Sequence, residues 1–355
     1  MKVKLPVRRA ILLRRTFEPP SEGREKKVRL DFNENTAGCS PVVRRAIARL
    51  TANQLAMYPD YRPATRRLAR YFGVRPEELL LANGADDALR AFFDTFVEQG
   101  SRILICEPTF PMYRYYAEIF GARIDVLRYT ADMKFPLHDV IAALRKRPRV
   151  LFIANPNNPT GTLLRRESIQ KILQAATHTA VVIDEAYAEF SRMTLVPWIR
   201  RYPHLFVVRT FSKVAGLAGL RLGAVLACAD SLDFLRRAMP PFPVNVAALV
   251  AAEAAVRNPK EMRRYVSEIN RLREWFGAKL RHLGVKTYPS AANFLLADFG
   301  PKGPALFRRV ERQGILLRER SREIAPGFVR ITIGTEPEMR KLMRLIHEEY
   351  KFIAA

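Results

Sequence analysis

Lys213 stands where a lysine can be presented to a reactive carbonyl. It ends the segment Arg209-Thr210-Phe211-Ser212-Lys213, which follows the apolar run Leu205 to Val208, and Arg221 lies eight residues further on. An imine-forming lysine must be delivered to its carbonyl with a lowered pKa. The hydroxyls of Thr210 and Ser212 and the Arg221 guanidinium are natural donors to a phosphate. Three more apolar runs end in polar clusters: Ala180 to Ile183 in Asp184-Glu185-Ala186-Tyr187, Val150 to Ala154 in Asn155-Pro156-Asn157-Asn158-Pro159-Thr160-Gly161, and Ile103 to Cys106 in Glu107-Pro108-Thr109-Phe110. Asp184 is placed to keep a heteroaromatic nitrogen protonated, so that the ring accepts electrons. Tyr187 and Asn158, the latter in a turn with two prolines, can reach an oxygen on the same ring, and Phe110 can stack on its face. Gly84-Ala85-Asp86 opens a helix, whose free N–H groups suit a phosphate.

Taken singly, each residue has a plainer reading. Lys213 is one of 60 basic residues, Asp184 and Asp86 are ordinary helix caps, Asn158 is a turn former and Phe110 a core aromatic. What outweighs these readings is the coincidence of four clusters at strand ends, because α/β sheets bind ligands at the carboxyl ends of their strands.

The elements that must carry the clusters follow from the same pattern. Between Ser101 and about Ala227, β-rich runs alternate with helical stretches such as Arg165 to Ala176, which means βαβ units and a mainly parallel sheet. Before them, helical patterns follow Pro41 and span Arg62 to Tyr71. Pro240-Pro241-Phe242-Pro243 ends the alternating region. A long amphipathic helix follows over roughly Pro259 to Leu283, then strands near Asn293 to Asp298 and Val329 to Ile333, and a final helix from Glu336. The expected fold class is α/β, with residues 1–40 as an N-terminal arm belonging to the small domain, 41–243 as the large ligand-binding domain and 244–355 as a smaller α+β domain.

Composition narrows the function. No apolar stretch approaches the ~20 residues of a membrane span, and the run Ala10 to Leu13 is too short for a secretion signal. The first thirty residues are Arg-rich like a transit peptide, but Glu18, Glu22 and Glu25 argue against one. Cys39, Cys106 and Cys228 are isolated, without metal-ligand spacing, as in a reducing cytoplasm. The net charge of +25 would suit nucleic acid, yet the basic residues are scattered pairs and no nucleic-acid-binding signature is present. A positive field that captures anionic ligands is the better reading.

In combination and in this order, the motifs resemble fold type I aminotransferases that use pyridoxal 5'-phosphate (PLP), and specifically the histidinol-phosphate aminotransferase family. To the clusters above the likeness adds Leu30-Asp31-Phe32-Asn33-Glu34-Asn35, Tyr58-Pro59, Gly84-Ala85-Asp86-Asp87, Pro111-Met112-Tyr113, Gly219-Leu220-Arg221 and Arg330-Ile331-Thr332-Ile333-Gly334-Thr335. It runs from about Leu30 to the C-terminal helix. The resemblance implies that Lys213 binds the cofactor aldehyde and shuttles the substrate proton, and that Asp184 pairs with the pyridine nitrogen. Tyr187 and Asn158 would contact the phenolic oxygen, Phe110 would stack on the ring, and Ala85, Asp86, Thr210, Ser212 and Arg221 would hold the phosphate. Tyr58 would cross to the partner's cofactor in a homodimer. Arg330, assisted by Arg318 and Asn33, would bind the glutamate carboxylate in one half-reaction and the phosphate of a phosphorylated substrate in the other. The implied reaction passes an amino group from an amino donor to a keto acid, most simply between histidinol phosphate and 2-oxoglutarate in histidine biosynthesis.

Two departures lie near the substrate. The arm reads Val7-Arg8-Arg9-Ala10-Ile11-Leu12-Leu13-Arg14-Arg15 and lacks the Pro-Tyr pair that many members use for the substrate phosphate, and Thr36-Ala37-Gly38-Cys39 replaces a Pro-containing turn. An arm arginine (Arg8, Arg9, Arg14 or Arg15) is one replacement for the tyrosine. The same scaffold also serves L-threonine-O-3-phosphate decarboxylases and aromatic amino-acid aminotransferases. A PLP-sensing regulator would need a DNA-binding domain beyond the thirty or so residues before Leu30.

Overall fold

A computed structural model describes residues 5–12 and 23–354. Its twelve strands are β1 (Val28–Leu30), β2 (Leu79–Ala82), β3 (Arg102–Glu107), β4 (Arg123–Arg128), β5 (Val150–Ala154), β6 (Ala180–Asp184), β7 (Leu205–Thr210), β8 (Gly223–Leu226), β9 (Lys286–Thr287), β10 (Phe294–Asp298), β11 (Ile315–Glu319) and β12 (Phe328–Thr332). They form a seven-stranded sheet, in the order β2-β8-β7-β6-β5-β3-β4, and a five-stranded sheet, in the order β1-β11-β12-β10-β9.

Every residue of β5, β6 and β7 is buried. Helices cover both faces of a parallel sheet, so its central strands are continuous apolar runs and not alternating ones. The register aligns their ends: Ala154 faces Asp184, and Asp184 faces Val208. The polar residues that follow each strand are thereby delivered to one edge. The sheet is mixed, because β8 runs antiparallel to both β7 and β2. The long helix Pro259–His282 and the terminal helix Glu336–Ala354 belong to the second layer, where the long helix packs against β9 and β10.

Two of the elements absent from the reading of the sequence carry structural weight. Val28–Leu30, within the segment read as an arm of the small domain, is a strand that pairs parallel with β11; three residues are too few to reveal a period. The helix Val246–Arg257, unanticipated between the proline cluster and the long helix, is buried along most of its length against the helices Pro41–Ala48 and Arg62–Phe72. An Ala-rich helix buried on all sides carries no amphipathic stripe to reveal it. Its start is fixed by Asn245, whose Oδ1 accepts from the Ala248 N–H at 2.8 Å. Among the described residues, no helix is long and apolar enough to cross a membrane.

Candidate active site

The strand ends open into a cavity of about 540 Å³ that contains Lys213, Asp184, Asn158 and the three arginines Arg318, Arg320 and Arg330. The Lys213 Nζ donates to the Phe32 carbonyl at 3.0 Å. Burial, reinforced by the positive charge of Arg330, lowers its pKa to about 8, so a substantial fraction is neutral amine near physiological pH. Asp184 is buried, with Oδ2 accepting from the Tyr113 hydroxyl at 2.8 Å and Oδ1 from the Ala186 N–H at 3.1 Å. Burial pushes its carboxyl up to about 6, against the pull of those two hydrogen bonds. A ring N–H⁺ beside it would hold it ionised.

Asn158 uses its Oδ1 to accept from Arg330 Nη1 at 2.6 Å, which leaves the amide N–H groups to point elsewhere. The Tyr187 hydroxyl accepts from Asn33 Nδ2 at 2.9 Å. Asn33 is itself locked, its backbone N–H donating to Thr332 Oγ1 at 3.0 Å and its carbonyl accepting from Asn293 Nδ2 at 3.0 Å. Phe110 lines the cavity and meets Tyr113 edge-on, with ring centres 5.7 Å apart.

The opposite end is a cradle for an anion. The helix Gly84–Phe96 points its N-terminus at the cavity, with Ala85 and Asp86 in the lining. The N-cap is Asn83, whose side chain makes no capping bond, and its N–H donates to Asp87 Oδ2 at 2.9 Å, so Asp86 is not the cap. Arg221 Nη2 reaches Asp86 Oδ2 at 3.1 Å, and Thr210 Oγ1 lies 3.0 Å from Ser212 Oγ. Gly84 has φ +84, and a Cβ there would sit 2.5 Å from Arg221 Nη2. A side chain at this position would fill the cradle, so only glycine leaves it open. A guanidinium, two hydroxyls and helix N–H groups fit a phosphate; with a lysine, a carboxylate and an amide a few residues away, the set fits PLP.

The sequence-predicted residues all line this cavity except Tyr58, which is 81% exposed and stacked on Phe242 with ring centres 4.6 Å apart. Of the arm arginines, Arg8 Nη2 donates to the Ile119 carbonyl and does not line the cavity. The Arg9 side chain, Arg14 and Arg15 lie outside the described residues. Two further residues were given no role in the sequence reading, although Tyr113 lies in one of the matching motifs. Tyr113 looks like a core aromatic in any sequence, since only the tertiary contact reveals its hydroxyl on Asp184. Arg320 lies two residues beyond Arg318, and strand alternation could have flagged it once Ile315–Glu319 was known to be a strand.

The comparisons with known proteins agree with the geometry. The family model described as aminotransferase class I and II matches residues 25–346. Histidinol-phosphate aminotransferase 1 of Carboxydothermus hydrogenoformans is 34% identical over 326 residues, covering 91% of this chain and 93% of its own. The histidinol-phosphate aminotransferase of Roseiflexus castenholzii is 37% identical over 338 residues, covering 91% and 90%. Among solved structures, histidinol-phosphate aminotransferase from Sinorhizobium meliloti in complex with pyridoxal-5'-phosphate superposes with a TM-score of 0.89 at 25% identity, covering 98% of this chain and 99% of that one. The chain therefore belongs to the class I and II aminotransferases, PLP-dependent enzymes of fold type I, and within them to the histidinol-phosphate aminotransferase family.

Proposed function

We propose that this chain transfers the amino group of histidinol phosphate to 2-oxoglutarate. The observation that carries the reading is the face-to-face pair Arg318 and Arg330 across β11 and β12, in the same cavity as Lys213 and Asp184. When bound, PLP supplies an aldehyde that accepts the amino group and a ring that takes up the electrons of the breaking Cα–H bond. Arg330, held by Asn158 and by the Asp31 carbonyl, binds the substrate anion and sets its orientation. Lys213, with its lowered pKa, removes the Cα proton and returns it. Asp184, held by Tyr113, keeps a proton on the ring nitrogen. Asn158 and Tyr187 take the ring oxygen, while Thr210, Ser212, Arg221 and the amides of Ala85 and Asp86 take the cofactor phosphate; Phe110 covers the ring.

The exposed apolar side chains Leu55, Met57, Tyr58 and Phe242 support a homodimer in which Tyr58 reaches the partner's cofactor phosphate. We keep the arm to residue 40 with the small domain, but the packing of the helix Val246–Arg257 on Pro41–Ala48 and Arg62–Phe72 moves the boundary read at 243 to the segment after Arg257; we place the enzyme in the cytoplasm. The test is the absorbance of the yellow holoenzyme on adding histidinol phosphate without a keto acid. Conversion to the pyridoxamine spectrum is expected. A response to glutamate but none to histidinol phosphate would overturn the substrate, and a protein that never becomes yellow with PLP would overturn the function.

A further inference from the structure

Arg318 and Arg330 are cross-strand partners, and like charges directly opposed on neighbouring strands weaken a sheet. Arg320 extends the conflict. Its N–H donates to the Phe328 carbonyl at 2.8 Å, which continues the β11–β12 ladder, so a residue two beyond Arg318 returns to the same face. Arg320 is only 4% exposed, yet it lines the cavity. Among the described residues its one acidic contact is Glu323 at 3.0 Å, a residue that is itself substantially exposed. Its Nε and the Nε of Arg330 are both buried without a hydrogen-bond partner among the described residues. The nearby acids are already engaged by other cations: Asp31 by Arg24, and Glu34 by Arg24 and Arg29. Three guanidiniums thus share one wall with little negative charge to offset them, an arrangement that is costly unless a ligand completes it.

We propose that Arg320 is a specificity determinant that joins Arg318 and Arg330 in a three-guanidinium subsite selecting amino donors with a phosphate monoester over donors with a carboxylate. The proposal rests on the function put forward above and names the group that sets its preference. A carboxylate carries a single negative charge and is served by the Arg318–Arg330 pair, whereas a phosphate dianion carries up to two charges and has three acceptor oxygens.

The experiment uses the holoenzyme and its Arg320→Gln and Arg320→Lys variants. The donors are histidinol phosphate, histidinol and glutamate, and the spectral half-reaction yields kcat/KM for each. For Arg320→Gln, the preference for histidinol phosphate over both other donors should fall about tenfold or more, the scale of one charge-assisted hydrogen bond, and the loss should lie in KM. Arg320→Lys should recover part of that preference. A residue that only braced the turn after β11 would depress all three donors together, and preference ratios that stay constant would overturn the proposal. If the wild type ignores histidinol phosphate, the substrate assignment fails, and Arg320 is then judged by inorganic phosphate competing with glutamate. Inhibition weakened about tenfold in Arg320→Gln would sustain its role, and unaltered inhibition would refute it.

Discussion

Replacing Asp184 by Asn should make the apoprotein more stable while abolishing catalysis. Asp184 is buried, and its folded pKa of about 6 stands above the ordinary 3.8, with burial as the main cause. A group whose folded pKa is raised contributes stability that is complete below the unfolded value, near pH 4, and is lost as pH rises through the folded value, near 6. A shift of about two units corresponds to about 3 kcal/mol, and roughly half of it is lost between pH 5 and 7.5. Asn keeps an acceptor for the Tyr113 hydroxyl and carries no charge to desolvate, at the smaller cost of the acceptor for the Ala186 N–H. Asp184→Asn apoprotein should therefore outlast the wild type at pH 7.5 by up to about 3 kcal/mol, or about 4 °C in melting temperature for a chain of this length. That advantage should shrink toward pH 5. The assay is thermal unfolding of cofactor-free protein in buffers from pH 5 to 7.5, with the half-reaction run in parallel. An apoprotein variant less stable than the wild type at pH 7.5, or a difference that does not vary with pH, would refute the reasoning that Asp184 is held at an energetic cost for the cofactor's sake.

Other consequences follow from individual contacts. The pKa of about 8 at Lys213 predicts that the rate of PLP capture by the apoenzyme rises with pH and levels off above about 8, as the neutral amine becomes the main form; stopped-flow absorbance that is flat from pH 6.5 to 9 would contradict it. Removing the hydroxyl that donates to Asp184, as in Tyr113→Phe, should raise the Asp184 pKa further and lower kcat by about tenfold, the worth of one charge-assisted hydrogen bond; this is read from kcat against pH. Arg209 is buried beside Glu185 at 3.1 Å and also meets Glu189. Arg209→Leu leaves Glu185 unpaired and should cost about 3–5 kcal/mol, measured by urea unfolding at pH 7.5.

Much of the site was legible along the chain because it is built from strand ends. A buried parallel strand announces itself as an unbroken apolar run, and the first polar residues after it must emerge at the sheet edge. Asp184, Asn158, Thr210 and Lys213 were found that way, and their types then pointed to one kind of ligand. The family resemblance went further than spacing, reaching Arg330 and Asn33, which no local pattern marks. The antiparallel β8, the short β1 and the Ala-rich helix Val246–Arg257 were not legible, because they lack a period or are too short to display one.

What the sequence determined by itself was the set of elements whose signal is local: where the central strands run, where they stop, and which chemical groups follow them. What only the tertiary structure decided was who meets whom across long separations. Tyr113 reaches Asp184 across 71 residues, and Arg330 reaches Asn158 across 172. The pairing of β11 with β12 sets Arg318 against Arg330 and brings Arg320 to the same wall. The physical reason is that hydrogen bonds within a strand or helix act over a few residues, whereas pKa values and anion preference depend on burial and on charges brought together by packing. Those are properties of the assembled cavity, and no segment carries them alone.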